Sequence, residues 1–258
     1  MTAGNIVITG ASSGIGCSLA LAYAKSGVSL ALFGRNPTRL SEVAAKCRER
    51  GAAVREFVAD VTDEAVMCEA LLAFDHENPV SLLIVSAGIT SGVVLDGAPE
   101  SVRTSLEVMR VNYDGALYTI NPILAAMKDR RRGQIAVIGS LAARPGLPSS
   151  PAYSASKVAL ETYAYALAGS LRGSGVTISV ISPGYIESPM TDQIIGPKPF
   201  LLEADKAAGI IKKELARKKL IIRFPRALAW STTLAGLLPP WILFRMLDRL
   251  AFQIRPRD

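Results

Sequence analysis

The residues best placed for proton chemistry are Tyr153 and Lys157, four apart in the run Tyr153-Ser154-Ala155-Ser156-Lys157. Ser149 and Ser150 precede them and Pro151 stands beside a first helical turn, so the run is predicted to lie early in a helix. A spacing of four then puts phenol and ammonium on one face. A free phenol titrates near pH ~10 and is a poor shuttle at neutral pH. A neighbouring ammonium favours the phenolate and brings it toward working range. Ser140, at the end of a predicted strand, adds a hydroxyl to the pair.

A second cluster suits phosphate. Thr9-Gly10-Ala11-Ser12-Ser13-Gly14-Ile15-Gly16 follows the first strand and opens the first helix. Gly10 permits the sharp turn, Gly14 a close backbone approach to a pyrophosphate, and Gly16 tight packing of helix on strand. The helix N-terminus supplies free N–H groups and a positive dipole end. The next strand ends Leu32-Phe33-Gly34-Arg35-Asn36. An acidic residue there would hold a ribose 2′-hydroxyl, whereas the fork of Arg35 suits a 2′-phosphate. Asp60 and Val61 end the third strand, where Asp60 could accept from an adenine amino group or cap a helix.

Something must hold these groups in place. Apolar β-branched runs at 5–9, 28–33, 54–58, 82–86, 134–138, 176–181 and 220–223 alternate with helical patterns such as 40–50, 63–75, 102–128 and 153–171. Most runs are continuously apolar, as strands buried on both faces require. The alternation predicts an α/β fold: a Rossmann-type, doubly wound parallel sheet of about seven strands with helices on both faces. Residues 1–225 read as one catalytic domain with a substrate loop over 185–203, and 226–258 as an apolar, basic helical extension.

At this point the chain resembles the short-chain dehydrogenase/reductase family. The resemblance spans at least residues 5–191. It rests on Thr9 to Gly16, Asp60, Ser86-Ala87-Gly88, Asn112, Ser140, Tyr153, Lys157 and Pro183-Gly184, in the family's order and spacing. It implies that Tyr153 is the general acid/base and that Ser140 holds the substrate oxygen. It also implies that Lys157 binds the nicotinamide ribose and lowers the tyrosine pKa, and that Asn112 supports a relay water. Arg35 follows the pattern of NADP(H)-preferring members. Ile186 and Ser188 match the positions that hold the nicotinamide carboxamide. Two departures stand out. Val85-Ser86-Ala87-Gly88 replaces the usual Asn-Asn-Ala-Gly, altering support on the adenine side, and Ser188 replaces the usual Thr while keeping its hydroxyl. Family members pair helices into a four-helix interface. Leu117, Ile120, Ile123, Leu124, Met127, Leu160, Tyr163, Leu167 and Leu171 are expected to form it here in a homodimer or homotetramer.

Composition narrows the remainder. Of 258 residues half are hydrophobic and 20% charged, which excludes collagen, coiled coil and disorder. His76 is the only histidine and lies in the polar stretch Asp75-His76-Glu77-Asn78, so a solvated surface role is expected and a hydrolytic triad is not. With no Cys-x-x-Cys among Cys17, Cys47 and Cys68, reduced thiols and no metal site are expected. The start reads directly into a strand without a leader pattern, so a cytoplasmic chain is expected.

The net charge of +7 is uneven. Residues 206–258 carry 12 Lys/Arg against 3 Asp/Glu, and residues 1–205 carry 17 against 19. No nucleic-acid partner is expected. Residues 227–244 hold no charge but are flanked by Lys212, Lys213, Arg217, Lys218, Lys219, Arg223 and Arg226 on one side and Arg245, Arg249, Arg255 and Arg257 on the other. Pro239-Pro240 interrupts the run, which argues against a membrane span. Peripheral contact with a membrane surface and burial at a subunit interface both remain open. The apolar character of 185–203 and 141–148 favours a lipid-like ketone such as a 3-oxoacyl or 3-ketosphingoid group. The leading expectation is an NADPH-dependent carbonyl reductase. The alternatives are an NAD(P)-dependent alcohol or sugar dehydrogenase working oxidatively, and a non-catalytic nucleotide-binding scaffold.

Overall fold

The computed structural model describes residues 4–92, 98–247 and 252–254. Seven parallel strands form the central sheet: β1 (Asn5–Thr9), β2 (Ser29–Gly34), β3 (Ala53–Val58), β4 (Leu82–Val85), β5 (Gly133–Ile138), β6 (Val176–Pro183) and β8 (Ile221–Phe224). Their order is β3-β2-β1-β4-β5-β6-β8. The chain crosses over between β3 and β4, so the strand ends diverge beside β1 and β4. That is where a doubly wound sheet opens a crevice at its carboxyl edge.

The strands match the predicted runs to within two residues at each end. β3 departs in character: it is an edge strand whose residues alternate between exposed and half-buried, and Val58 is exposed. Its Arg55 and Glu56 face solvent or neighbouring charges, as an unpaired edge requires.

Two apolar layers cover the sheet. One face carries α1 (Gly14–Tyr23), α2 (Pro37–Glu49) and α8 (Ala204–Leu215). The other carries α3 (Glu64–Glu77), α4 (Val102–Met109), α5 (Gly115–Asp129) and α6 (Pro151–Ser170). Helix starts follow their caps: Asn36 accepts from the Arg39 N–H at 2.9 Å and Asp63 from the Val66 N–H at 3.1 Å. The continuous helix expected over 102–128 is instead two helices joined by one turn of π-helix, Arg110–Asp114, with Asn112 at its centre. Such a turn inserts a residue and re-aims side chains, and it recurs at functional sites.

The packing corrects the expected interface. Ile120, Ile123, Met127, Leu160 and Leu171 are buried in this chain's own core. Only Leu117, Leu124, Tyr163 and Leu167 of that set keep partial exposure.

Beyond β8, the extension forms α9 (Arg226–Ala235) and α10 (Pro240–Leu247), parted at Pro239-Pro240 as expected. Between β6 and α8 lie a short helix α7 (Pro189–Asp192) and a two-residue strand β7 (Ile194–Ile195). β7 pairs antiparallel with β9 (Gln253–Ile254), so the extension returns to the 185–203 loop. The Phe252 N–H donates to Ser149 Oγ at 3.2 Å, and Ile254 packs on Gly92. No helix among the described residues is long and apolar enough to cross a membrane. The basic rim is thinner than the sequence predicts: Arg217 and Lys219 pair with Glu214, Lys212 donates to the Ala22 carbonyl, and Arg223 donates to the Tyr165 hydroxyl. Arg249, Arg255 and Arg257 lie outside the described residues.

Candidate active site

The carboxyl ends of β1, β4, β5 and β6 surround a cleft of about 630 Å³. Its phosphate end is shaped by backbone. Gly10 has φ +68°, and a Cβ there would fall 2.8 Å from Ala87 Cα. A Cβ on Gly16 would sit 2.3 Å from the Gly10 carbonyl oxygen, so helix and strand could not close up. Gly14, at φ +52°, packs directly against Ser188, whose Cβ would lie 3.1 Å from an added Cβ. Ser13 caps α1 without a side-chain hydrogen bond, leaving the first N–H groups of a ten-residue helix turned toward the cleft wall formed by Ser12, Ser13, Gly14 and Ile15. Thr9 Oγ1 accepts from the Ser86 and Ala87 N–H groups at 3.1 and 3.3 Å, tying the β4 turn to β1. Ser86, Ala87 and Gly88 all line the cleft. This cradle, shut to any side chain at Gly10 and Gly16 and rich in unpaired amides, fits a dinucleotide pyrophosphate.

At the far end, Gly34 leaves room because a Cβ would press on Ser12 Oγ at 3.2 Å. Arg35 lines the cleft, with its Nη1 3.7 Å from Asp60 Oδ2. Both side chains are half exposed, so the pair is weak. Asp60 Oδ1 accepts from the Thr62 N–H and hydroxyl, each at 2.9 Å. Burial pushes the Asp60 carboxyl up, but the Thr62 donors and Arg35 outweigh it and hold the pKa below the usual value. Asp60 itself is not among the lining residues; Ala59 and Val61 are.

The floor belongs to α6. Tyr153 is partly buried and Lys157 fully so, one turn apart, with the Lys157 ammonium 5.8 Å from the tyrosine ring centre. Ser140 lines the cleft together with Tyr153, and its hydroxyl accepts the Ala142 N–H at 3.1 Å. Burial raises the phenol pKa, with Ser140 opposing it and Tyr185 and Glu161 adding to it, so the lowering by Lys157 expected from the sequence is overridden by desolvation. Burial also lowers Lys157 from the usual 10.5 to about 8, with the Glu161 carboxylate pulling upward. The Lys157 ammonium donates to the Ile138 carbonyl at 2.9 Å. Asn112 stands behind the cleft wall, fully buried. Its Oδ1 accepts from the Ile89 N–H at 2.8 Å, and its Nδ2 donates to the Ile89 carbonyl and Ser156 Oγ, both at 2.9 Å. The π-turn thus aims Asn112 as a strut between the β4 loop and α6.

Pro183, Gly184, Ile186 and Ser188 line the remaining wall. Ser188 Oγ caps α7 by accepting the Thr191 N–H at 3.2 Å. A Cβ on Gly184 would meet Leu228 of α9 at 2.9 Å, so the extension packs against this wall.

The structure therefore gathers the predicted residues in one crevice, with Asp60, Gly16 and Asn112 supporting it from behind. Three residues were missed. Arg39 lines the adenosine end. Its sequence signal is a cation in the first turn of a helix, where the dipole disfavours one unless an anion comes. Thr191 lines the opposite end beside Met190 of the expected apolar loop, and only that loop's composition pointed there. Glu161 is nearly fully buried behind Ser140; as an acid amid an apolar helical face it was the visible anomaly.

Known proteins agree with this geometry. The model of the short chain dehydrogenase family matches residues 4–197. The chain belongs to that family. An uncharacterized oxidoreductase of Myxococcus xanthus is 34% identical over 235 residues, covering 90% of this chain and 92% of its own. Galactitol 2-dehydrogenase (L-tagatose-forming) of Cereibacter sphaeroides is 38% identical over 189 residues, covering 71% of this chain and 72% of its own. In fold, a short-chain dehydrogenase/reductase from Burkholderia phymatum in complex with NAD superposes with a TM-score of 0.82 at 23% identity, covering 90% of this chain and 92% of that one. An actinorhodin polyketide ketoreductase variant with NADPH gives 0.77 at 22% identity, with 88% and 97% covered. As a short-chain dehydrogenase the protein is an oxidoreductase of CH–OH and C=O groups that uses a nicotinamide cofactor.

Proposed function

We propose that the protein is an NADPH-dependent carbonyl reductase acting on an apolar, lipid-like ketone. The observation that carries this reading is that Ser140, Tyr153 and the buried Lys157 line one cleft together, with the Lys157 ammonium 5.8 Å from the tyrosine ring centre. In this reading the turn from Gly10 to Gly16 holds the pyrophosphate, and Arg35 with Arg39 holds the 2′-phosphate. Val61, with Asp60 behind it, flanks the adenine. Lys157 holds the nicotinamide ribose, and Ile186 and Ser188 hold the carboxamide. The bound dihydronicotinamide supplies the hydride. Ser140 and Tyr153 orient the ketone oxygen and donate to the charge that develops on it. Tyr153 delivers its phenolic proton to that oxygen, and the Lys157 ammonium steadies the phenolate left behind. Asn112 keeps the Ile89 carbonyl and α6 in register for reprotonation by way of water.

The apolar preference draws on Met190 at the cleft wall and on exposed Phe200 and Leu201 in the adjoining loop. Homo-oligomerisation through the outer faces of α5 and α6 draws on Leu117, Leu124, Tyr163 and Leu167. Peripheral contact with a membrane surface draws on α9 and α10, where Trp230, Leu237 and Trp241 are 69%, 79% and 71% exposed between Arg226 and Arg245. A screen of NADPH oxidation over ketones of increasing chain length, with and without anionic vesicles, tests the reading. Rates should rise with chain length, and NADH should serve at least tenfold less well. A flat response to chain length would remove the apolar substrate.

A second reading has its own support. The 38% identity to galactitol 2-dehydrogenase favours an NAD(P)-dependent alcohol or sugar dehydrogenase working oxidatively. Reduction of NAD⁺ by polyols, with no activity on long-chain ketones, would decide for it.

A further inference from the structure

Glu161 has no place in the chemistry assigned so far, yet it is 3% exposed and eight residues beyond Tyr153 on α6. Its Oε1 accepts the Ser182 hydroxyl at 2.6 Å and the Ser140 N–H at 3.2 Å. Gly139 is what admits it: a Cβ there would lie 2.4 Å from that same oxygen. A buried carboxylate is costly unless donors and a cation compensate it. The donors come from the ends of β5 and β6. The cation acting on it from its own helix is Lys157, one turn back, whose own hydrogen bond runs to the neutral Ile138 carbonyl.

We propose that Glu161 is a positioning residue for the reaction: its carboxylate fixes the turn that presents Ser140 and supplies the counter-charge that keeps Lys157 an ammonium beneath Tyr153. The proposal rests on the reading in which Ser140, Tyr153 and Lys157 carry the reaction. A neutral Gln could accept the same two hydrogen bonds, so the geometry alone does not call for an acid. The charge does. Lys157 is held near 8 by burial, and without Glu161 that value falls further, toward the pH at which the enzyme must hold its proton. The other ionisable groups around this point are Tyr153 on α6 and Tyr185 after β6, both neutral in this range. Arg144 and Arg223 line a cavity of about 10 Å³ with Ser140, Glu161 and Ser182. Both are permanent cations and do not titrate with Lys157.

NADPH affinity measured against pH tests the charge without turnover. Above pH 7 the 2′-phosphate, with a second pKa of about 6, is mostly ionised and changes little, so loss of affinity as pH rises reports loss of the Lys157 proton from the ribose contact. The wild type should weaken through about pH 8. Glu161→Gln should bind NADPH within twofold of wild type at pH 7 or just below it, with the midpoint moved about one unit lower, the small end of what an opposite charge does. Glu161→Asp keeps the charge and should leave the midpoint in place. An unmoved midpoint in a Glu161→Gln protein that still binds NADPH overturns the proposal. Equal displacement in both variants marks packing rather than charge and overturns it as well. Turnover of a medium-chain methyl ketone separates the layers. Activity retained by Tyr153→Phe sinks the underlying reading, whereas an inactive Tyr153→Phe beside an unmoved Glu161→Gln midpoint sinks this inference alone.

Discussion

The two ends of the cleft are built differently. The glycine-turn end is backbone: a turn too tight for any Cβ at Gly10 and Gly16, a helix N-terminus, and a tether in which Thr9 Oγ1 accepts two N–H groups at 3.1 and 3.3 Å. The opposite end is walled by side chains on short elements: Met190 and Thr191 of the four-residue α7 line it, and Leu228 of α9 backs Gly184. Backbone cradles admit one shape of ligand, whereas side-chain walls on short elements can be re-lined without disturbing the sheet. The contrast teaches that cofactor use and substrate choice should respond to different mutations.

The largest expected effect breaks the chemistry while sparing both ends. Tyr153→Phe should cost at least about a hundredfold in turnover, the usual worth of a positioned general acid, with NADPH affinity unchanged by fluorescence titration. A retained rate above a few per cent would contradict the assignment.

Next comes the cofactor end alone. Arg35→Asp removes a charge-assisted hydrogen bond worth roughly 1.5–3 kcal/mol and adds repulsion, so the NADPH dissociation constant should rise at least about tenfold. NADH binding should change little. Arg39→Ser should act in the same direction by less.

The substrate end should answer separately. Trp241→Glu should abolish co-sedimentation with anionic vesicles and leave turnover of a short, water-soluble ketone intact. Wild-type association should fade as salt rises, because each nearby Lys/Arg contributes only about 1 kcal/mol and is screened. No binding at low salt would transfer α9 and α10 to a subunit contact.

The smallest effect concerns stability. Lys157 titrates near 8 when folded and near 10.5 when unfolded. Between those values the unfolded chain holds the proton that the folded one has released, so stability rises with pH across this window and is flat in this respect below it. The melting temperature of Lys157→Met should lack that rise by differential scanning fluorimetry.

Much of this was legible in the sequence because it depends on local spacing. Gly10, Gly14 and Gly16 are needed at fixed offsets, and Tyr153 and Lys157 meet through one helical turn. Buried strands announced themselves as apolar runs. Three things were not legible. β3 reads like its neighbours, and only its place at the edge of the sheet explains why Arg55 and Glu56 are tolerated. The apolar faces of α5 and α6 carry no mark telling core from interface, and packing assigned Ile120, Ile123, Met127, Leu160 and Leu171 to the core. Glu161 matters through Gly139, Ser140 and Ser182, which only the sheet brings beside it.

The π-turn at Arg110–Asp114 places a constraint on length as well as on the identity of Asn112. It holds one residue more than an α-helix of equal rise. Deleting any one of the five would let α4 and α5 merge into a regular helix with its hydrogen bonds intact. The merged helix would keep its two flanks in phase, but the residues of the bulge itself would be re-aimed. Asn112 would then swing off Ile89, and the wall between β4 and α6 would lose its strut. Substitutions in this stretch other than at Asn112 can be absorbed one side chain at a time, but a one-codon deletion cannot. Apart from Asn112, whose side chain makes the strut, the segment should vary in composition among functional variants while its residue count stays fixed.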